Sequence, residues 1–422
     1  MRSSFALVFY YTKLNKYSIH ALLGALESKK ILNEIPVCFL NKKETILDDL
    51  KKLVSIYSRV LLGFSFFTPQ IWDIYPLIKE IKKTFKNKVF IIAGGPHPTG
   101  DPIGTLNAGA DLVVRGEGEK TFTQIIFNLL EGKDLYKTKG ISYKVNGKIK
   151  SNEKQSQIKL DEYQPFCIKY SKFNPIEITR GCPFACAFCQ TSRLFGTKVR
   201  HRSIEKICEF VEIFKARNLT DIRFITPNAF SYGSKDGKEI NLEALENLLK
   251  NIRKILGKEG RIFFGSFPSE VRPEHVNKET IELVLKYADN DNLVIGAQSG
   301  SDRILRLCNR GHSVEDVYRA VELTIKSGLK AKVDFIFGLP GETEEDIKAT
   351  IKVIEDLVKM GAIIHAHTFM PLPQTPFKKV KEVSLKPEIL SLIKKLLPKG
   401  LIFGNWQKQL ELSKKIIEYF NK

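Results

Sequence analysis

Residues 176–189 read Ile176-Glu-Ile-Thr-Arg180-Gly-Cys182-Pro-Phe-Ala-Cys186-Ala-Phe-Cys189, a short apolar strand followed by a loop with three cysteines. The spacing C-x3-C-x2-C puts three thiolates on one loop. Such a loop can bind three irons of a [4Fe–4S] cluster and leave the fourth iron open to a small molecule. A structural zinc site would need a fourth ligand, and none lies nearby, since the next candidate is His201. The loop therefore indicates an iron–sulfur site.

Outward from this loop, apolar strands alternate with amphipathic helices. Strands are predicted at 174–180, 221–226, 261–267, 292–299, 331–338 and 362–369, and helices at 203–217, 242–256, 273–288, 313–327 and 344–360. The segments Ser313-Val-Glu-Asp316 and Thr343-Glu-Glu-Asp346 are typical of helix N-caps with acidic first turns. Six strands are too few for the eight-fold barrel. Residues 173–377 are therefore predicted to form an open (β/α)6 partial TIM barrel, with its chemistry at the C-terminal rim.

The N-terminal residues 1–135 show a second alternation. Strands are predicted at Phe5–Tyr11, Ile35–Leu40, Val60–Phe66, Val89–Gly95 and Leu112–Gly116, and helices at about 18–29, 44–57, 69–86, 98–108 and 117–131. Strands without polar alternation, separated by helices, indicate a parallel sheet covered on both faces. These residues are predicted to form a doubly wound, flavodoxin-like domain, whose ligands bind at the carboxyl ends of the strands.

Two further segments complete the organisation. Residues 136–172 are predicted to be a β-hairpin and linker, because Asn146-Gly147 supplies the positive φ angles of a type I′ turn. Residues 378–422 are predicted to be a helical, basic tail with apolar residues at helical spacing.

Composition excludes several protein classes. The chain has 422 residues, 43% hydrophobic and 27% charged, as in ordinary globular proteins. Its longest apolar runs fall far short of the ~20 residues that span a bilayer, and the N-terminus reads as a first strand rather than a signal peptide. Seven cysteines, an odd number, argue against a closed set of disulfides. We expect a cytoplasmic protein without a membrane span.

The net charge of +20 is spread along the chain. Only the last segment, residues 376–422, is denser, with 11 basic and 4 acidic residues. It contains no Arg and few aromatic residues, which readers of nucleic acids usually add to a basic patch. Nucleic acid is therefore an unfavoured partner, and a small- or medium-sized organic substrate is expected.

The cysteine loop, with Phe188 before its last Cys, resembles the radical S-adenosylmethionine (SAM) superfamily. Segments after it resemble motifs of that family in the expected order: Phe264-Gly-Ser-Phe-Pro-Ser-Glu270-Val-Arg272-Pro-Glu, Ile295-Gly-Ala-Gln298-Ser299-Gly300-Ser-Asp, Asn309-Arg310-Gly311-His312, Asp334-Phe-Ile-Phe-Gly338-Leu-Pro-Gly341-Glu342-Thr and Met370-Pro-Leu-Pro-Gln-Thr-Pro-Phe377. The resemblance implies that Cys182, Cys186 and Cys189 bind the cluster. It implies SAM contacts from Phe188, Glu270, Arg272, Gln298, Ser299 and Gly338.

Three positions depart from the family pattern. Gln298 replaces the Glu of many relatives, and Gln374 replaces a common Gly. Thr226-Pro227-Asn228 stands where Gly-Gly-Glu usually ends the second strand. The last departure leaves open which residue binds the methionine amino group of SAM. The catalytic residues that contact the substrate are also left open.

Three N-terminal segments that follow strands resemble the cobalamin (B12)-binding domain found ahead of many radical enzymes. The resemblance implies cobalamin contacts from Ser65, Thr68, Gly94, Gly95, Pro96, His97, Gly116, Glu117 and Gly118. No D-x-H-x-x-G occurs, which implies that no protein histidine binds cobalt from below. Held between two prolines, His97 is expected to shape its loop or contact the nucleotide tail of the cofactor.

Together the resemblances imply a cobalamin-dependent radical SAM methyltransferase that acts on an unactivated carbon or on phosphorus. Its cofactors would be a [4Fe–4S] cluster, SAM and cobalamin, and its electron donor a protein such as ferredoxin or flavodoxin. Three alternatives stay open: a non-methylating cyclase or rearrangement enzyme, a tRNA methylthiotransferase-like enzyme, and a non-catalytic cobalamin or redox sensor. The methylthiotransferases carry three more cysteines in their N-terminal domain, whereas residues 1–140 here contain only Cys38.

Overall fold

The computed structural model describes residues 5–421, which form two compact units that divide between Asn174 and Pro175. Within those residues, no helix combines the length and the apolar character needed to cross a membrane. Each unit is described separately.

The first unit is built on one seven-stranded sheet. Its strands are β1 (Phe5–Tyr10), β2 (Val37–Leu40), β3 (Arg59–Ser65), β4 (Val89–Gly94), β5 (Leu112–Val114), β6 (Ile141–Val145) and β7 (Lys148–Ser151). Its helices are α1 (Lys16–Ser28), α2 (Ile46–Ile56), α3 (Ile71–Phe85), α4 (Pro96–Gly100), α5 (Pro102–Asn107) and α6 (Gly118–Leu130). The strand order is β2-β1-β3-β4-β5-β6-β7. The five predicted parallel strands are confirmed, and β6 and β7 extend the sheet antiparallel.

The predicted hairpin forms, with Asn146 and Gly147 at positive φ angles of 50° and 76°. Its first strand pairs with β5, and Ile141 is fully buried in the same apolar core as Leu112. The polar stretch that follows is largely without regular structure, but Ile158, Leu160 and Tyr163 pack against α1. Residues 136–174 are therefore part of the core of the first unit.

The second unit is the predicted open partial barrel. Its strands are β8 (Ile176–Glu177), β9 (Thr179–Arg180), β10 (Arg200–His201), β11 (Asp221–Ile225), β12 (Arg261–Phe263), β13 (Asn292–Gln298), β14 (Lys330–Phe337), β15 (Ile363–Thr368) and β16 (Ile402–Phe403). Its helices are α7 (Thr191–Phe195), α8 (Ile204–Lys215), α9 (Leu242–Leu256), α10 (Lys278–Tyr287), α11 (Asp302–Leu307), α12 (Val314–Lys326), α13 (Glu344–Met360), α14 (Pro387–Leu396) and α15 (Trp406–Asn421).

The barrel strands run in the order β8-β11-β12 and then β13-β14-β15-β16, all parallel within each group. A single parallel bridge between Val271 and Ile295 connects the two groups. The first predicted strand, 174–180, is divided, because its last residues pair antiparallel with β10 instead of continuing along β11. The tail adds β16 to the sheet beside β15, a pairing too short for the sequence to predict.

Candidate active site

A cavity of about 820 Å³ lies within the second unit, where the cysteine loop meets the inner faces of the barrel strands. All three loop cysteines line it, together with inward-facing residues of β13, β14 and β15. The tail supplies part of the wall through Phe403 and Gln409. The tail therefore closes one side of the cavity.

The conformation of the cysteine loop depends on backbone geometry at two positions. Gly181 has a φ angle of +91°, and a Cβ there would lie 2.3 Å from the Lys198 carbonyl oxygen. Ala185 also adopts a positive φ, 49°. The loop is held in place by the Ala187 N–H, which donates to the Cys308 carbonyl oxygen at 2.9 Å. These constraints direct the three cysteines into one side of the cavity.

The three thiols of the cysteine loop lie close enough to interact electrostatically. None of the cysteines in the described residues forms a disulfide. Burial raises the pKa of Cys182 and of Cys189, and each of them also interacts electrostatically with Cys186. Hydrogen-bond donors face the sulfurs: Arg310 Nη1 lies 3.5 Å from Cys186 Sγ, and the Thr191 N–H donates to Cys189 Sγ at 3.4 Å. Such donors stabilise metal-bound thiolates, so the residues fit a cluster.

Next to the thiols, three polar side chains lie close together around Gly296 of β13. A Cβ at Gly296 would lie 2.8 Å from Gln298 Nε2, 3.1 Å from Glu270 Oε2 and 3.2 Å from Arg310 Nη2. Arg310 is buried, and its Nη2 donates to the Gly296 carbonyl oxygen at 2.7 Å. Gln298 itself adopts a φ of +73°. Arg310 therefore lies next to the cysteine loop and interacts electrostatically with the carboxylate of Glu270.

Glu270 carries the most perturbed carboxyl group of the cavity. Burial raises its pKa, the neighbouring Asp334 carboxyl raises it further, and Arg310 opposes both effects. Glu270 and Asp334 are therefore neighbouring carboxyl groups that disfavour each other's ionisation. A proton or an incoming cationic group would relieve their repulsion.

Arg272 is occupied by contacts within the protein. Its guanidinium lies 3.4 Å from the ring centroid of Phe184 in the cysteine loop. It donates to Glu274 and to the Arg310 carbonyl oxygen. Arg272 lines the cavity but acts chiefly as a clamp on the cysteine loop.

The structure places the residues expected at SAM in two groups. Phe188, Glu270, Arg272 and Gln298 line the cavity. Ser299 is buried outside its lining, where its Oγ accepts from the Ser301 N–H at 3.2 Å. Gly338 faces the tail instead, with a φ of +74°, and a Cβ there would lie 3.2 Å from the Ser384 carbonyl oxygen. The last two residues are therefore not brought together with the other four.

In the first unit, the predicted cobalamin segments follow the carboxyl ends of β3, β4 and β5. His97 is fully buried there. Its Nε2 lies 2.8 Å from the Tyr75 hydroxyl and its Nδ1 3.1 Å from Thr68 Oγ1. Both ring nitrogens of His97 therefore have partners within the protein.

The glycines and the acidic residue of these segments have separate roles. Gly95 has a φ of +97°, and a Cβ there would lie 2.8 Å from Ser65 Oγ, so the β3 and β4 loops touch at this glycine. Glu117 is buried and accepts from the Ile158 N–H at 2.9 Å. A Cβ at Gly118 would lie 2.9 Å from Leu22 of α1. Glu117 and Gly118 therefore stabilise the packing of the first unit. Gly95, between Gly94 and Pro96, shapes the loop that follows β4. Gly116 donates its N–H to Thr99 Oγ1.

Sequence reasoning missed Arg310 as a site residue, although the segment that contains it was noted. It also left Asp334, His365 and His367 without a role. All four residues line the cavity. Strand periodicity places Asp334, His365 and His367 on inward faces, but it does not show that β14 and β15 pair with Asp334 opposite His365.

Comparisons with known proteins agree with this architecture. The Radical SAM superfamily model matches residues 176–354, and the B12 binding domain model matches residues 26–126. A Pyrococcus horikoshii protein named an uncharacterised methyltransferase is 29% identical, over 75% of this chain and 68% of its own. A Methanocaldococcus jannaschii protein, whose name places it among the methylthiotransferases, is 30% identical over 73% of this chain and 67% of its own.

Among solved structures, the radical SAM methyltransferase TsrM from Kitasatospora setae, with cobalamin and a [4Fe–4S] cluster bound, is similar to this chain with a TM-score of 0.69. The match covers 89% of this chain and 74% of TsrM at 16% identity. At that identity, the likeness shows the fold.

Proposed function

The chain belongs to the radical SAM superfamily and carries an N-terminal B12-binding domain, and from this premise we propose that it is a cobalamin-dependent methyltransferase acting on an unactivated carbon or phosphorus of a small- or medium-sized molecule. It is a radical SAM enzyme whose cofactors are a [4Fe–4S] cluster, SAM and cobalamin. The observation that carries the proposal is the cavity lined by three free thiols in a chain that also holds a B12-binding fold.

We assign the cluster to Cys182, Cys186 and Cys189. When bound, the cluster supplies an electron for SAM cleavage, and cobalamin carries the methyl group. The protein's own part is to hold the sulfurs and exclude water. Arg310 and the Thr191 N–H donate toward two of the sulfurs. The buried Cys308 lies outside the cavity lining, so it is not assigned as a ligand.

We assign the methionine amino group of SAM to Glu270. The residues Thr226-Pro227-Asn228 do not supply a carboxylate, and Asn228 is engaged with His275 at 2.7 Å. Glu270 offers a carboxylate beside the thiols, and an ammonium group there would offset the repulsion between Glu270 and Asp334. Gln298 would accept from a polar group of the nucleoside.

Cobalamin is assigned to the β3, β4 and β5 loops, with no histidine below cobalt. Residues 5–174 contain two histidines, His20 and His97. Both ring nitrogens of each are hydrogen-bonded, those of His20 to Tyr11 at 2.9 Å and Asn174 at 2.6 Å. Neither offers a nitrogen to a metal without breaking buried contacts.

The size of the cavity supports a small substrate, since its 820 Å³ is typical of a site for one drug-sized ligand and must hold SAM as well as the substrate. TsrM has been solved with tryptophan as its substrate. A ferredoxin- or flavodoxin-type protein is the proposed electron donor, because the cluster must be reduced from outside.

The test uses the anaerobic full chain loaded with cluster and cobalamin, a reductant, methyl-labelled SAM and a small-molecule extract of cells. We expect label in one small molecule, with 5′-deoxyadenosine and S-adenosylhomocysteine formed in equal amounts. Label in RNA would instead support the methylthiotransferase alternative, which the names of several relatives keep open. A new unlabelled product formed with 5′-deoxyadenosine would support a cyclase or rearrangement enzyme.

A further inference from the structure

One wall of the cavity carries a hydrogen-bonded group that the assignments above leave unused. His365 and His367 lie on the inward face of β15, with ring centroids 4.0 Å apart. Asp334 lies opposite His365 on β14, with Oδ1 2.9 Å from His365 Nδ1. The same Nδ1 lies 3.2 Å from His367 Nε2. Phe403 of the tail stacks on the His365 ring at 4.5 Å and fixes its plane.

The tail determines which nitrogen of His367 carries the proton. The Thr368 N–H donates to Gln409 Oε1 at 2.9 Å, which fixes the orientation of the Gln409 amide. The amide nitrogen, a donor, therefore faces His367 Nδ1 at 3.3 Å. Because a neutral imidazole has one donor and one acceptor nitrogen, the proton of His367 lies on Nε2. Burial lowers the pKa of His367, which keeps the ring neutral.

This arrangement has a consequence for His365. The Nε2–H of His367 points to His365 Nδ1, so that nitrogen presents a lone pair. The same lone pair faces the Asp334 carboxylate, and two acceptors 2.9 Å apart repel each other unless they share a proton. His365 Nε2 has no hydrogen-bond partner among residues 5–421, and His365 lines the cavity. The ring thus offers its second nitrogen to whatever occupies the cavity.

Charged side chains surround the group. Glu270 brings a second carboxyl group close to Asp334, and Arg310 interacts with Glu270. Lys332 precedes Asp334 on the same face of β14 and lines the same cavity. His367 is the group that contacts His365 directly on its own strand.

A metal ion is the alternative occupant, since Asp334, His365 and His367 bring three donor atoms within 4.8 Å of one another. A metal would need a lone pair on His367 Nε2, and ligating histidines normally donate their other N–H to a neighbour. Here Gln409 donates to His367 Nδ1 and places the proton on Nε2. The tail therefore fixes His367 in the tautomer whose Nε2 carries a proton and cannot bind a metal.

We propose that Asp334 and His365 hold a shared proton and that His365 Nε2 donates a proton to a carbonyl, carboxylate or amine group of the substrate. On donation the N–H bond at Nε2 breaks, a new bond to hydrogen forms on the substrate, and the proton held by Asp334 moves to the Nδ1 lone pair, so that the His365 ring stays neutral. The step involves no oxidation or reduction. The role of His365 as a proton donor rests on the proposed function, which supplies the substrate. The proton shared by Asp334 and His365 does not depend on that function. His367 and Gln409 are positioning residues.

The proton is tested by nitrogen NMR of the full chain carrying the cluster and ¹⁵N-labelled histidine, with the His365 and His367 signals assigned through H365Q and H367Q. At pH 7 we expect His367 protonated at Nε2 only, and a His365 Nδ1 signal that the shared proton displaces from the position of an unprotonated nitrogen. In D334N this signal should move to the unprotonated position, while D291N, an aspartate that lines the same cavity, should leave it unchanged. His20, which has no carboxylate partner, serves as the internal reference.

Two results would overturn the proposal. One is a His365 Nδ1 signal that has the position of an unprotonated nitrogen in wild type and the same position in D334N. The other is one equivalent of Co²⁺ bound by the wild type and lost in both H365Q and H367Q, which would identify a metal site. In the labelled-SAM assay, H365Q should form about 100-fold less methylated product per 5′-deoxyadenosine. If the wild type methylates nothing, the proposed function fails. The NMR result still shows whether Asp334 and His365 share a proton.

Discussion

At the scale of single residues, the chain separates cysteines of different roles within one small region. Cys186 and Cys308 lie close enough to interact electrostatically, and both are buried. Cys186 lines the cavity, whereas Cys308 packs in an apolar cluster with Ile304 and Phe369. Burial raises the pKa of Cys308 to about 12, so it stays a thiol near neutral pH.

This difference gives a prediction about iron content. After anaerobic reconstitution, wild type and C308A should each hold about four iron and four sulfide, while C182A, C186A and C189A should hold almost none. Iron and sulfide assays with the visible spectrum provide the measurement. Loss of iron in C308A, with its fold intact by circular dichroism, would show that the ligand set is different.

Gly296 gives a second prediction at this scale. In G296A the new methyl group would lie 2.8 Å from Gln298 Nε2 and 3.1 Å from Glu270 Oε2, and must displace one of them. We expect reductive cleavage of SAM to fall about 10–100-fold, since small displacements in a binding site have effects of this size. The control for a general loss of stability is G257A, whose Cβ meets nothing within 4 Å but whose φ of +71° makes the alanine strained. Equal cleavage in both variants would remove Glu270 and Gln298 from the SAM site.

At the scale of elements, the hairpin and the chain after it complete the N-terminal fold. Ile141 and Cys167 are fully buried in the core of the first unit. Burying one such apolar side chain contributes about 1.5–3 kcal/mol. A fragment of residues 1–174 should therefore unfold cooperatively and bind cobalamin, whereas a fragment of residues 1–135 should be several kcal/mol less stable. Urea unfolding followed by circular dichroism compares the two, and equal midpoints would contradict this view.

The start of α13 gives a prediction about pH. Thr343 and Asp346 form a capping box, and Asp346 also accepts from Ser301 at 2.5 Å and from Arg303. Burial opposes ionisation, but these hydrogen bonds outweigh it and lower the pKa of Asp346 below its ordinary value. A lowered carboxyl pKa stabilises the fold above the unfolded pKa of about 4, and this stabilisation is lost as the pH falls through the folded pKa.

The variant D346N isolates this contribution. At pH 7 it should lose about 1–3 kcal/mol of unfolding free energy, the usual size for a hydrogen bond to a charged group. The difference from wild type should shrink as the pH falls below about 4. E345Q is the matched control, since Glu345 neighbours Asp346 but is exposed. A difference that did not change with pH would show that Asp346 acts by packing alone.

The elements that the sequence predicted are those with strong local signals. Buried strands such as β3 and the capping boxes at Ser313 and Thr343 are specified by consecutive residues, and all are confirmed. The two-residue strand β16 has no such signal, because its pairing with β15 depends on residues far away in the chain. The same holds for the site: the cysteines were evident from their spacing, whereas the group of Asp334, His365 and Gln409 exists only because three separate elements meet.

At the scale of the whole molecule, the charge of +20 raises the question of a nucleic-acid substrate. Truncation after residue 377 is a poor test, because the tail provides β16, the Phe403 ring on His365 and the Gln409 contact with Thr368. Removing it would damage the cavity as well as the charge.

The better test replaces exposed lysines of the tail and keeps its apolar contacts. The variant would change to Gln the exposed residues Lys395, Lys399, Lys408, Lys414 and Lys415. Since phosphate neutralisation alone gives weak binding that falls steeply with salt, we expect RNA to bind wild type weakly at low salt and hardly at all at moderate salt. The variant should bind RNA more weakly still, and its methyl transfer to the small-molecule fraction should match that of wild type. Tight RNA binding that survives moderate salt and is lost in the variant would instead identify an RNA substrate. It would favour the methylthiotransferase alternative over a small acceptor in the cavity.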